Sequence, residues 1–254
     1  LRLAAIGLDI ESLDFYHAPS RKTIKLAKQT LKSLGALNNM GGVTPVGRKM
    51  ERFPVESGYA RMLVESEAYS AGLQSALAAI IAVQEVGGIV RSGVRFTGWR
   101  RFTRQTRSDL LAQYDVYLAL PTISPDDFEE LGIIPKNVTK ALEVNERLNR
   151  DLGLGDMVPV ALAETEIDQL LLCIVAGQLH QIWTAEPQGE VTHIFSGKQR
   201  QLSNGTVVKH AALIAGTPFD LQVSNVQGIE TLHLVTDVTA VKPEWLATLA
   251  PEVF

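Results

Sequence analysis

Two stretches decide the fold: Glu164–Trp183, which reads ETEIDQLLLCIVAGQLHQIW, and Glu230–Val241, which reads ETLHLVTDVTAV. In the first, Ile167, Leu170, Leu171, Ile174 and Val175 recur at helical spacing and give a wide apolar stripe, so a helix is expected from Glu164 to Ile182. In the second, Leu232, Leu234, Thr236 and Val238 alternate with Thr231, His233, Val235 and Asp237, the period-two pattern of a strand. The change of period near Trp183 divides a helical portion from a β portion. Beyond Trp183, Pro187, Gly189, Gly197, Gly205, Gly216 and Gly228 punctuate short β-rich runs at Val191–Ser196, Thr206–Ala215, Phe219–Ser224 and Glu230–Val241. Asn204-Gly205 reads as a two-residue hairpin with Gly205 at positive φ. Such a segment folds as a small closed or partly open barrel, and Pro243-Glu244-Trp245-Leu246 then opens a terminal helix.

Upstream, the pattern is helical. Ser20 caps a helix over Arg21–Leu34 whose Ile24, Ala27, Leu31 and Leu34 share one face, and Gly35 stops it. Asn39-Met40-Gly41-Gly42 is a turn, Val43-Thr44 a short strand, and Pro45 starts another helical turn. Small helices around a glycine hairpin indicate a winged helix. Helices are expected at Tyr59–Tyr69 and Leu73–Val86, the second apolar enough to be buried, with Gly87-Gly88 ending it. Ser108 or Asp109 caps a helix through Leu110, Leu111, Tyr114 and Leu118 that Pro121 stops. Ser124-Pro125-Asp126-Asp127 starts another. Pro135–Leu152 follows, closed by Gly153 and Gly155.

A chain of 254 residues and 27.7 kDa accommodates one large domain or two to three small ones. Hydrophobic residues at 46% and charged ones at 20% exclude a disordered or collagen-like chain. The longest apolar runs, Ala76–Val83 and Leu170–Ala176, are too short for a membrane span, which takes roughly 18 residues or more, so a soluble chain is expected. The single Cys173 excludes a disulfide framework and points to a reducing compartment, most simply the cytoplasm. With Leu1 first and no signal pattern, the chain is expected to be a piece of a longer protein.

The net charge of −4 argues against a generic nucleic-acid binder, but its distribution is uneven. No acid occurs between Glu85 and Asp109, where Arg91, Arg95, Arg100, Arg101, Arg104 and Arg107 interleave with Phe96, Trp99 and Phe102. A second acid-free stretch, Val191–Phe219, holds Lys198, Arg200, Lys209, His193 and His210. Arginine forks match phosphate oxygens and aromatic faces stack on bases, so the first stretch is a candidate nucleic-acid contact; equally, its arginines pair with acids elsewhere in the fold. Ser203-Asn204-Gly205, between Arg200 and Lys209, is the second candidate, beside the simpler reading of an ordinary turn.

No catalytic constellation emerges. The sequence contains no GxxxxGK[ST], GxGxxG, HExxH or GxSxG, and Gly197-Lys198 lacks the rest of a phosphate loop. The histidines at 17, 180, 193, 210 and 233 lack metal-ligand spacing, although His193 and His210 could face each other across strands. Asp126, Asp127, Glu129 and Glu130 read as a solvated helical start, and Cys173 as inert core.

Several segments together resemble the region that follows the motor domains of DEAH-box RNA helicases. They are Leu13-Asp14-Phe15, Leu34-Gly35-Ala36-Leu37, Val43-Thr44-Pro45-Val46-Gly47-Arg48-Lys49-Met50, Phe53-Pro54-Val55 and Ala60-Arg61-Met62-Leu63. Later segments are similar too: Ser108-Asp109-Leu110-Leu111 through Tyr117, Cys173-Ile174-Val175-Ala176-Gly177, Thr236-Asp237-Val238-Thr239 with Pro243-Glu244-Trp245-Leu246, and Ala250–Phe254. Two departures stand out: Ala18-Pro19 replaces a usual Pro-Pro, and Leu202-Ser203-Asn204-Gly205 replaces a loop that often reads His-Pro-Ser-Ser.

The resemblance implies an α+β chain of three modules: a linker and winged helix over 1–56, a helical ratchet bundle (the helicase-associated, HA2, domain) over 57–182, and a small OB-like barrel, an OB-fold, over 183–254. It implies an accessory region that forms one wall of a single-stranded RNA channel and couples motor closure to RNA movement. Arg91, Arg95, Arg100, Arg101, Arg104, Arg107, Ser108, Lys198, Arg200, Ser203, Asn204 and Lys209 are then the expected RNA contacts. The expected partners are single-stranded RNA, the motor domains of the same chain and a glycine-rich activator protein, with no membrane. No cofactor is expected in this segment; ATP and magnesium belong to the motor domains of the parent ATP-dependent RNA helicase, a hydrolase. The alternative is a protein-interaction module without a nucleic-acid role.

Overall fold

The computed structural model describes residues 1–91, 97–225 and 228–251. It begins with a short α1 (Arg2–Ala5) and a 3-10 turn (Ile10–Ser12). Helix α2 (Arg21–Ser33) starts where Ser20 Oγ accepts the Thr23 N–H, and Leu34 is its C-cap residue. The expected short strand is a single antiparallel bridge, Leu37 to Val43. Thr44 then caps α3 (Pro45–Met50) by accepting the Gly47 N–H.

The helical body comprises α4 (Ser57–Ser66), α5 (Ala71–Glu85), α6 (Asp109–Ala119), the short α7 (Phe128–Leu131), α8 (Pro135–Asp151) and α9 (Glu164–Gly177). Ser124 makes no side-chain cap, and Pro125–Asp127 form a 3-10 turn ahead of α7. Helix α5 is apolar on every face because it lies in the middle of the body: Leu73, Ala76, Leu77, Ile80, Ile81 and Val83 are all buried. One continuous core joins Leu34, Met50 and Phe53 of the N-terminal segment to α4, α5, α6, α8, α9 and Trp245. The N-terminal helices therefore share the core of the body. Among the described residues no helix is long and apolar enough to cross a membrane.

Helix α9 stops at Gly177, earlier than its apolar stripe predicts, because Ile182 and Trp183 belong to the sheet. Five strands follow: β1 (Ile182–Ala185), β2 (Glu190–His193), β3 (Gln199–Leu202), β4 (Leu213–Asn225) and β5 (Gly228–Ala240). They close into a barrel in the order β1-β2-β3-β5-β4, with β3 parallel to β5 and every other pairing antiparallel. Trp183, Val191, Val208, Ile214, Val235 and Val238 fill it as a second, smaller core. Helix α10 (Pro243–Leu249) returns to the body, burying Trp245 and Leu246.

The fold is thus α+β, with two corrections to the strand reading. Residues 206–212 are an irregular loop, and β4 runs unbroken from Leu213 through Phe219. Asn204-Gly205 is not a hairpin, since β3 neighbours β2 and β5 but not β4. The glycines that take positive φ at hairpin turns are Gly189, Gly197 and Gly228.

Helices α4 and α9 approach most closely at Gly58 and Gly177. A Cβ on Gly58 would lie 2.8 Å from the Gly177 carbonyl oxygen, and one on Gly177 would overlap the Gly58 carbonyl and Met62. Either must push backbone apart, and overpacking of this kind costs about 1–3 kcal/mol. Gly177→Ala is therefore expected to lower the melting temperature by about 2–12 °C; an unchanged thermal transition would show that the helices are not locked at this crossing.

Candidate nucleic-acid interface

The arginine-rich stretch is organised by its aromatics. Gly98–Phe102 forms a 3-10 turn, pressed so closely on α7 that a Cβ at Gly98 would lie 2.9 Å from Leu131 Cα. Trp99 is buried in the body and Phe102 packs against the same core. These two rings anchor the turn, and Trp99 is not open to stacking by bases. Arg100 lies over the Trp99 ring at 5.1 Å, and its Nη2 donates to the Gly205 carbonyl at 2.5 Å. Arg101 lies over Phe102 at 4.9 Å and is exposed, as is Arg104. Neither has an acidic partner among the described residues. Thr103 between them is fixed by donating to Asp115 Oδ2 at 2.6 Å.

The Arg100–Gly205 bond joins the two stretches singled out from sequence. Across the joint lies the loop after β3, where Ser203 N–H donates to the Val235 carbonyl and Ser203 Oγ accepts the Gly205 N–H. Asn204 is exposed, and Lys209 Nζ reaches its carbonyl at 3.5 Å. The exposed groups of this interface are Arg101, Arg104, Asn204 and Lys209.

Beneath it, Asp109 at the start of α6 holds the loop in place. Its Oδ1 accepts Val207 N–H at 2.7 Å and Thr206 Oγ1 at 2.9 Å, and its Oδ2 accepts Val238 N–H at 2.9 Å. Burial pushes this carboxyl above its ordinary range, against the pull of the three donors. Ser108 caps α6, is itself buried, and pairs with Thr239 Oγ1 at 2.9 Å, so its hydroxyl takes no part in the exposed face. The Arg107 carbonyl accepts Ala240 N–H at 2.8 Å, extending the seam. Sequence reading assigned Asp109 only to capping; the signal it lacked was the spatial proximity of Thr206 and Val238.

The remaining candidates lie elsewhere or are engaged. Arg107 bonds Asp168 at 2.7 Å and Glu164 at 2.8 Å, and Lys242 holds the other Asp168 oxygen at 2.6 Å. Lys242 first, then Arg107, keep the Asp168 carboxyl below its usual range. Arg107 is thus a structural cation binding α6 to α9. Arg91 donates its backbone N–H to Gly132 and reaches toward Glu129 at 3.9 Å. Lys198 lies in the β2–β3 turn, at the opposite end of β3 from Ser203. Arg200 is tied to Asp220 at 2.6 Å and to the Phe219 and Leu234 carbonyls. Arg95, together with Phe96, lies outside the described residues.

The other titratable groups form no site. Burial drives the His180 pKa down to about 4, with His193 adding to the shift, so His180 is neutral. His193 bonds the His180 carbonyl and Ser196 Oγ. Burial pushes the Cys173 thiol far up, so it is not a nucleophile. Among the described residues no three His, Cys, Asp or Glu side chains are grouped to hold a metal ion.

The family described as "Helicase associated domain (HA2), winged-helix" matches residues 29–55. Over its whole length the chain is 25% identical to the human "Probable ATP-dependent RNA helicase DHX35" and 22% identical to the human "ATP-dependent RNA helicase DHX33". It spans 36% of the length of each.

Asp237, in the bulge opposite Gly216, has φ +52 and a carboxyl raised by burial, with Thr236 Oγ1 as its donor at 3.3 Å. Asparagine tolerates this left-handed conformation and carries no charge. A carboxyl raised in the folded state destabilises above the folded pKa and not below the unfolded one. Asp237→Asn should therefore raise stability at pH 7 and lose that advantage as pH falls toward 3.8 in urea melts. An advantage independent of pH would leave only the backbone effect. Asp109→Ala, which leaves three donors facing no acceptor, should cost about 2–4 kcal/mol. A denaturation midpoint unchanged from wild type would show the seam to be unimportant.

Proposed function

We propose that this chain is a C-terminal, helicase-associated region of a DEAH-box RNA helicase, and that it forms one wall of a single-stranded RNA channel and couples motor movement to the RNA; the winged-helix match over residues 29–55 and the full-length similarity to two RNA helicases support this reading. In this reading residues 1–56 are the linker and winged helix, 57–182 the ratchet domain and 183–254 an OB-fold. The closed five-stranded barrel supports the last assignment. Its proposed contact is the loop between the third and fourth strands, rather than the strand face and hairpin loops that such barrels commonly use.

The observation that carries the reading is the Arg100–Gly205 bond. It brings Arg101 and Arg104, two exposed cations without acidic partners among the described residues, beside an exposed loop bearing Asn204 and Lys209. A guanidinium fork binds phosphate oxygens without regard to sequence, as a wall that RNA slides along requires. ATP and magnesium would bind in the motor domains of the parent protein, and the chemical step of ATP hydrolysis would occur there. The cytoplasm, or another reducing compartment, suits the buried free Cys173.

A protein-interaction role is the competing reading, and the pairing of Arg107 and Arg200 with acids is what favours it. Salt dependence separates the two, since phosphate contacts release counterions and apolar interfaces do not. The wild-type chain should bind single-stranded RNA weakly and in a salt-dependent way. Arg101→Ala/Arg104→Ala should flatten the log–log salt slope by about 1.4. Arg107→Ala should act mainly on stability. Fluorescence anisotropy across a salt series checks this, and equal slopes for wild type and the double variant would reject the RNA wall.

A further inference from the structure

The N-terminal helices carry a charge pattern that the interface above does not use. No acid occurs between Asp14 and Glu51, while Arg21, Lys22, Lys25, Lys28, Lys32, Arg48 and Lys49 all fall in that interval. Arg21, Lys25, Lys28 and Lys32 stand at i, i+4, i+7 and i+11 on α2. With 3.6 residues per turn they occupy an arc of about 60° and a length of about 16 Å. This row lies roughly a quarter turn from Ile24, which is buried, and Leu31, which packs against the core of the body.

Two of the row are engaged. Lys28 meets Asp9 at 3.4 Å and Glu11 at 3.5 Å, and Lys32 donates to the Asn39 carbonyl at 2.8 Å. Arg21, Lys25 and the adjacent Lys22 are exposed and have no acidic partner among the described residues. Aromatic rings stand immediately before them. Tyr16 is 97% exposed and packs edge-on against His17 at 4.6 Å, and Phe15, also exposed, lines with Arg21 and Ile24 the hollow in front of the helix.

We propose that α2 and the Phe15–His17 turn form a second contact for single-stranded nucleic acid, with Arg21, Lys22 and Lys25 on phosphates and Tyr16 stacked on a base. Charge complementarity selects a polyanion, and the exposed ring selects one that offers π faces. An acidic peptide would satisfy the cations and leave Tyr16 idle.

The test uses the whole chain and a fluorescein-labelled oligouridylate. Arg21→Gln/Lys22→Gln/Lys25→Gln alters three exposed side chains, and circular dichroism confirms that it folds. Three lost phosphate contacts should flatten the salt slope by about 2 and weaken binding tenfold or more at low salt. The same flattening should appear in an Arg101→Ala/Arg104→Ala background. Amine acetylation read by mass spectrometry should show Lys22 and Lys25 protected by the oligonucleotide in both backgrounds. If affinity and slope are unchanged and both lysines stay reactive, the α2 contact is refuted. If Arg101→Ala/Arg104→Ala alone abolishes binding while Lys22 and Lys25 are never protected, the interface at Arg100 stands and this one falls. A triple variant that loses binding only to polyglutamate or to phosphatidylserine vesicles also overturns it.

Discussion

The Asp109 carboxylate is the constraint on which the arrangement of this molecule depends. It stands on the first residue of α6, so the helical body fixes its position, and all three of its hydrogen bonds go to the barrel: two to the loop after β3 and one to β5. Sheltering a carboxylate is unfavourable unless donors surround it, and the barrel supplies those donors only in one orientation. Ser108 with Thr239, and the Arg107 carbonyl with Ala240 N–H, continue the same seam on either side. A barrel with its own small core is thereby held against the body by polar geometry as well as by the shared apolar contacts of Ile182, Ala215 and Trp245.

That seam produces the candidate interface. The loop carrying Ser203–Gly205 has few strand hydrogen bonds of its own. It is shaped by Asp109 from below and by Arg100 from the side. Trp99 and Phe102 contribute by packing inward, which leaves Arg101 exposed and Arg100 directed at the Gly205 carbonyl. The same chemistry thus divides the basic stretch: Arg100 and Arg107 hold the structure together, while Arg101 and Arg104 are exposed and have no acidic partner among the described residues.

Much of this was legible in the sequence where the pattern is local. Ser20 and Ser108 cap helices as their positions suggest, and the change of period near Trp183 does separate helices from barrel. Where long-range pairing decides, local pattern fails. The end of α9 was hidden because Ile182 extends an apolar stripe yet is claimed by β1. Asn204-Gly205 has the composition of a hairpin, but the parallel pairing of β3 with β5 prevents one. Lys198 and Arg200 share a basic window with Lys209, but Lys198 lies at the far end of β3 from the loop that holds Lys209, and Arg200, within β3, is tied to Asp220. The role of Asp109 depends on donors about a hundred residues away or more, at Thr206, Val207 and Val238, which no spacing rule connects.

Amide hydrogen exchange at Val207 and Val238 tests the central claim most directly, because those two N–H groups are the ones Asp109 holds. If the seam unites body and barrel, both amides exchange only with global unfolding, at the free energy of the buried α5 amides, even though Val207 lies in an irregular loop. Exchange of Val207 and Val238 at a distinctly lower free energy, with α5 still protected, would show that the barrel opens on its own and would contradict the account.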